Sequence, residues 1–138
     1  MKTMKWAFLG LMLMLPILSF AQQPDITGTW HAPGEQGSGT VEIYYGADGK
    51  LYGKFVQATD PEQDKEIRQR LKEEGKSQLL ILKDFKYSSK NTWTGGTVLS
   101  VSRGTRYDCK LRLKDANHLE VTGYVAFGLF SKSFTWYR

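Results

Sequence analysis

From Arg106 to Lys114 charged and apolar side chains alternate without a break. Tyr107, Cys109, Leu111 and Leu113 fall on one face, and Arg106, Asp108, Lys110, Arg112 and Lys114 on the other. That is the period of a strand with one face buried and one in water. A helix would scatter both sets around its circumference.

The same period of two recurs along the chain. Ile26 to Trp30 reads as a first strand and Thr40 to Tyr45 as a second, with Val41, Ile43 and Tyr45 on one face. Gly46-Ala47-Asp48-Gly49 turns the chain into a third strand, Lys50 to Ala58, because glycine reaches the positive φ that tight hairpins need. Leu79 to Tyr87 and Asn91 to Val101 follow, the latter carrying Trp93 and Gly95-Gly96. Ser102-Arg103-Gly104 leads into the alternating strand above, and Asp115-Ala116-Asn117 into His118 to Val125, with Leu119, Val121, Gly123 and Val125 inward. Lys132 to Arg138 sends Phe134 and Trp136 inward. Successive strands joined by tight turns make an antiparallel meander. About eight strands leave two raw edges unless the sheet closes, so the expected fold is an all-β, up-and-down barrel.

One stretch departs from the strand period. Asp60-Pro61-Glu62-Gln63 combines an N-cap residue, proline at the first helical position and glutamine at the capping-box position. Eleven of the seventeen residues from Asp60 to Lys76 are charged, Gly75 suits a C-cap, and Ile67 and Leu71 form the apolar stripe. The pattern predicts a short excursion helix over 61–75, either a solvated connection or a lid over one mouth.

The N-terminal residues read as an export signal. Lys2 and Lys5 precede an uncharged run from Trp6 to Phe20, and Ser19-Phe20-Ala21 has small residues at the −3 and −1 positions of a cleavage site. The expected product is one domain over residues 22–138, periplasmic or secreted, with no integral membrane segment. Without a cysteine near the cleavage point, no lipid-modified N-terminus is expected. Cleavage would remove all four methionines and lower the formal charge from +5 to +3.

Residues 22–75 carry 6 basic and 10 acidic side chains, residues 76–138 carry 11 and 4. No block of like charges accompanies this asymmetry, so solvated strand faces account for it and no nucleic acid is expected as a partner. Cys109 is the one cysteine, which leaves no intrachain disulfide, and its inward parity makes it a small apolar core residue.

Gly28-Thr29-Trp30 and a terminal Arg138 resemble the calycin signature. That resemblance implies that Arg138 stacks on Trp30 at the closed end of the barrel. Asp25 to Trp30, Val41-Glu42-Ile43-Tyr44, Leu51-Tyr52-Gly53-Lys54, Trp93-Thr94-Gly95-Gly96, Leu119 to Tyr124 and Thr135-Trp136-Tyr137-Arg138 resemble the exported bacterial family catalogued as domain of unknown function 2147. The likeness implies a lipocalin-like barrel and no established activity. The chain departs from the family at the charged helix, which replaces an acidic proline-containing segment, at Thr122, and at Ser131-Lys132, where the family carries arginines.

Catalytic patterns are missing. His31 and His118 lie in no metal-ligand spacing, and no Gly-x-Ser-x-Gly elbow, phosphate loop or HExxH sequence occurs. The paired carboxylates Glu62/Glu66 and Glu73/Glu74 sit in the helix rather than on inward strand positions. Neither an enzyme nor a cofactor or metal is expected. Tyr45, Phe55, Trp93, Tyr107, Phe134 and Trp136 form an inward aromatic set that either fills the barrel or lines a cavity for a small lipophilic or aromatic ligand. Binding of such a ligand is the leading reading. The alternative is an envelope protein whose basic outer faces or charged helix contact a protein or an anionic glycolipid.

Overall fold

The computed structural model describes residues 23–34 and 37–138. The expected export signal, residues 1–21, lies outside the described residues. Eight strands form one closed antiparallel barrel in sequence order: β1 (Gly28–Ala32), β2 (Gly39–Tyr45), β3 (Leu51–Ala58), β4 (Leu80–Ser89), β5 (Thr92–Ser100), β6 (Thr105–Asp115), β7 (His118–Val125) and β8 (Phe130–Tyr137). A helix, α1 (Pro61–Glu73), interrupts the meander between β3 and β4.

The first strand starts two residues later than its periodicity predicts. The Asp25 carboxylate accepts hydrogen bonds from the Thr27 amide at 2.9 Å and its hydroxyl at 2.6 Å, folding Asp25–Thr27 into an Asx turn. Ile26, fully buried, plugs the barrel end instead of extending the sheet.

Period two fails in the middle of β4 and β5. Asp84 and Gly95 both take positive φ, 67° and 82°, where β4 and β5 lose their regular pairing. Ile81 and Leu82 are both buried although they are neighbours on one strand, because the β3–β4 register slips there, with Leu82 opposite Gly53 and Leu80 opposite Lys54. Gly96 lies under the Phe85 ring, and a Cβ there would come within 2.5 Å of it. The pair Gly95-Gly96 thus coils the sheet sharply and makes room for a core ring, so the Gly96 space belongs to Phe85.

The core divides the barrel lengthwise. Trp30, Trp93, Phe85, Ile26, Ile43, Leu51, Leu82, Leu111 and Leu119 are fully buried and pack the end bearing the β2–β3, β4–β5 and β6–β7 turns. Cys109 belongs to this core, and burial pushes its thiol pKa up to about 12.

The seam between β1 and β8 is the thinnest join in the barrel. Its ladder has a single pair, His31 with Tyr137, whose rings also stack at 5.2 Å. Arg138 reinforces this end. Its guanidinium donates to the carbonyls of Ala116 (2.9 Å), Thr27 (3.3 Å) and Asp25 (3.2 Å), while its carbon lies 4.3 Å from the Trp30 ring centroid. Trp30 in turn donates its indole N–H to the Ile26 carbonyl at 2.9 Å.

Candidate functional site

Above the packed half, the strands diverge around a cavity of about 500 Å³. Val41, Val121 and Trp136 form its floor, and Phe55, Ile81, Val98, Leu99, Tyr107 and Phe134 contribute to its walls. The wall is apolar because inward strand positions here carry branched or aromatic side chains, while outward ones carry Lys, Arg, Asp and Thr. Gly123 opens space in the wall. A Cβ there would meet Val98 at 3.5 Å and Tyr107 at 3.9 Å, ordinary contact distances.

The mouth lies at the end bearing the β1–β2, β5–β6 and β7–β8 loops, where Pro33, Ser38, Val101, Arg103, Phe130 and Lys132 contribute to the rim. Helix α1 closes part of this rim with Gln63 and Ile67. Asp60 caps the helix by accepting the Gln63 amide, and Pro61 starts it without sacrificing a backbone donor. Three contacts tie the helix to β3. Ile67 is buried, the Asp64 carboxylate accepts the Ala58 amide at 3.0 Å, and Arg68 donates to both Asp64 and the Val56 carbonyl at 2.8 Å. The Ala58 amide and the Arg68 guanidinium together hold the Asp64 carboxyl below its ordinary range. The helix is a largely solvated connection between β3 and β4, and Gln63 and Ile67 bring it to the edge of the mouth.

The six aromatic candidates do not act as one group. Phe55, Tyr107, Phe134 and Trp136 line the cavity. Trp93 is fully buried in the packed half, edge-on to Tyr87 at 5.2 Å, with its indole nitrogen lacking a protein partner. Tyr45 corrects the inward expectation. It has the parity of Val41 and Ile43, but it is the last residue of β2, 44% exposed, and its hydroxyl accepts from Gln23 at 2.6 Å. Parity assigns a face, whereas distance along the strand decides whether that face still looks into the barrel.

Both histidines sit outside the cavity lining: His31 stacks on Tyr137, and His118 contacts the Asp115 carboxylate at 2.7 Å. Among the described residues, no group of three or more His, Cys, Asp or Glu side chains could hold a metal ion, and no helix is long and apolar enough to cross a membrane. Sequence reasoning missed the rim cations Arg103 and Lys132, the latter with its ammonium 5.8 Å from the Phe134 ring centroid. Their signal was position: each lies in or beside a hairpin turn at the same barrel end.

Three comparisons bear on this geometry. A family described as an uncharacterized protein conserved in bacteria, DUF2147, matches residues 28–138. Among curated proteins none matches significantly. A solved structure described as "Protein HP1028 from the human pathogen Helicobacter pylori belongs to the lipocalin family" is similar, with a TM-score of 0.63 and 18% identity over 83% of this chain and 82% of that one. At that identity the likeness concerns the fold, an eight-stranded lipocalin-like barrel.

Proposed function

The chain belongs to the bacterial family DUF2147, and we propose that it is an exported barrel that binds one small lipophilic or aromatic molecule in the cavity above Trp136. The observation that carries this reading is the cavity itself: about 500 Å³, apolar in its walls and floor and open at one mouth. Natural ligand pockets fall in this size range and combine apolar walls with a few polar groups. Here Arg103, Lys132 and Gln63 at the rim supply the polar groups. The role we read here is binding, in keeping with a lining that is mainly apolar. Export rests on the Lys2-to-Ala21 pattern, and a purified protein whose N-terminus is Gln22 would establish it.

Titration with N-phenyl-1-naphthylamine, a neutral lipophilic fluorophore, tests the reading. Trp136 lines the cavity whereas Trp30 and Trp93 do not, so occupancy should quench part of the tryptophan emission in a saturable, one-to-one manner. Native mass spectrometry of detergent-free protein should show a co-purifying small molecule. An apo mass together with a flat titration would refute the proposal.

A further inference from the structure

The tip of the β7–β8 hairpin is apolar and stands in water. Phe127 is 108% exposed, Leu129 79% and Phe130 66%. Ala126 (φ 52°) and Phe127 (φ 58°) take the left-handed conformation that non-glycine residues rarely adopt, followed by Gly128 (φ 85°), to which it costs nothing. Two overlapping turns fix it, from the Gly128 amide to the Val125 carbonyl and from the Leu129 amide to the Ala126 carbonyl, each 3.2 Å. Val125 and Phe130, at the base of this tip, line the cavity. The apolar tip is therefore continuous with the mouth.

We propose that this hairpin seats the mouth of the barrel on an anionic lipid bilayer. Charge on the hairpins beside the tip favours that occupant, the acidic first turn of α1 bordering the mouth at β3 instead. From Val98 to Tyr107 the chain carries Arg103 and Arg106 and no acid, and the whole of β8 with its preceding turn carries Lys132 and no acid. Arg103 and Lys132 both lie on the rim beside the apolar tip. Cations flanking exposed rings suit a surface of lipid phosphates above hydrocarbon. Shape and area disfavour a second copy of the chain. Two phenylalanines and a leucine on a convex tip cover about 500 Å² at most, short of the roughly 800 Å² a side of a stable interface. The inference goes beyond ligand binding and stands without it, although a mouth resting on a bilayer would give a lipophilic molecule a path that avoids water.

Flotation with vesicles tests it. The full protein should float with equimolar phosphatidylglycerol–phosphatidylcholine vesicles, less with phosphatidylcholine alone, and less as salt is raised. The double variant Phe127→Ser/Leu129→Ser should lose about tenfold or more in partitioning. Neither position lines the cavity, so the naphthylamine titration should be unchanged in that variant. In the wild-type protein, flotation without a saturable titration would count against the ligand and leave docking standing; a saturable titration without flotation would count against docking alone. A second variant, Phe127→Trp, should show a blue-shifted emission component quenched by brominated lipid acyl chains. Failure to float with anionic vesicles, equal flotation of the serine variant, or a wild-type dimer that the serine variant dissolves would each overturn the proposal.

Discussion

The guanidinium carbon of Arg138 lies 4.3 Å from the centre of the Trp30 ring, and the same guanidinium reaches three backbone carbonyls on two separate stretches of chain. One side chain thereby joins the turn before β1, the β6–β7 turn and the first-strand indole, where the β1–β8 ladder contributes one pair. Planarity explains the choice of residue: a guanidinium offers a face to the indole and edge N–H groups to carbonyls at once.

Arg138→Ala should therefore destabilise the barrel by about 1–3 kcal/mol, combining a cation–π contact with hydrogen bonds from a charged donor. Arg138→Lys should recover only part, because an ammonium has no edge to share among three carbonyls. Thermal unfolding followed by tryptophan fluorescence measures both, and an unchanged melting temperature in Arg138→Ala would remove the seam from the stability of the fold.

Two tryptophans of equal burial should respond differently to the same substitution. Trp30→Phe deletes a hydrogen bond to the Ile26 carbonyl and replaces the indole that Arg138 covers with a smaller, weaker π face. Trp93→Phe deletes an indole N–H that has no protein partner, so relief of an unpaired polar group offsets part of the lost volume. The expected order of melting temperatures is wild type close to Trp93→Phe, with Trp30→Phe clearly lower.

Gly123→Phe should abolish naphthylamine binding while leaving the fold intact. A Cβ at this position meets neighbours only at ordinary distances, and the ring beyond it would occupy the cavity that Gly123 lines. Circular dichroism like wild type with no saturable titration is the expected pair of results. Full binding in this variant would move the ligand elsewhere.

Acid should loosen the mouth helix. The Asp64 carboxyl is held below its ordinary value of 3.8 by the Ala58 amide and Arg68. Its contribution is fully present above that value and is lost as pH falls through the lower folded-state pKa. Amide protection at Ala58 and along α1, taken relative to the intrinsic exchange rate at each pH, should fall in this acid range before the barrel unfolds. Asp64→Asn should remove most of that pH dependence.

Cys109 should resist alkylation in the native protein at pH 8. Its thiol is buried and its pKa is raised to about 12, so little thiolate exists and reagents cannot reach it. Labelling should follow unfolding in denaturant; rapid native labelling would contradict the inward setting of β6.

Alternation made the sheet legible because a half-buried strand must repeat every two residues, and capping chemistry made α1 legible at Asp60-Pro61. What stayed hidden depended on distances that no local pattern encodes. Trp93 and Phe134 both have inward parity, yet one lies in the packed half and the other on the cavity wall. Tyr45 has the same parity and stands in water, since β2 ends there. The Asp84 and Gly95 irregularity was only half visible: the glycines were plain in the sequence, the left-handed aspartate was not. The apolar hairpin tip was overlooked because Phe127 and Leu129 fall in a turn, where periodicity carries no information.

The contact from Arg138 to the Thr27 carbonyl spans 111 residues and encloses all eight strands. Loop-closure entropy must be met before that contact forms, which makes the barrel a slow-folding topology rich in distant pairings. No subset of the meander is closed, so a fragment keeps two sheet edges that invite pairing with other chains. Half the barrel is accordingly a poor intermediate. The domain should ripen as a unit, with its vulnerability to aggregation concentrated in the interval before its two ends meet.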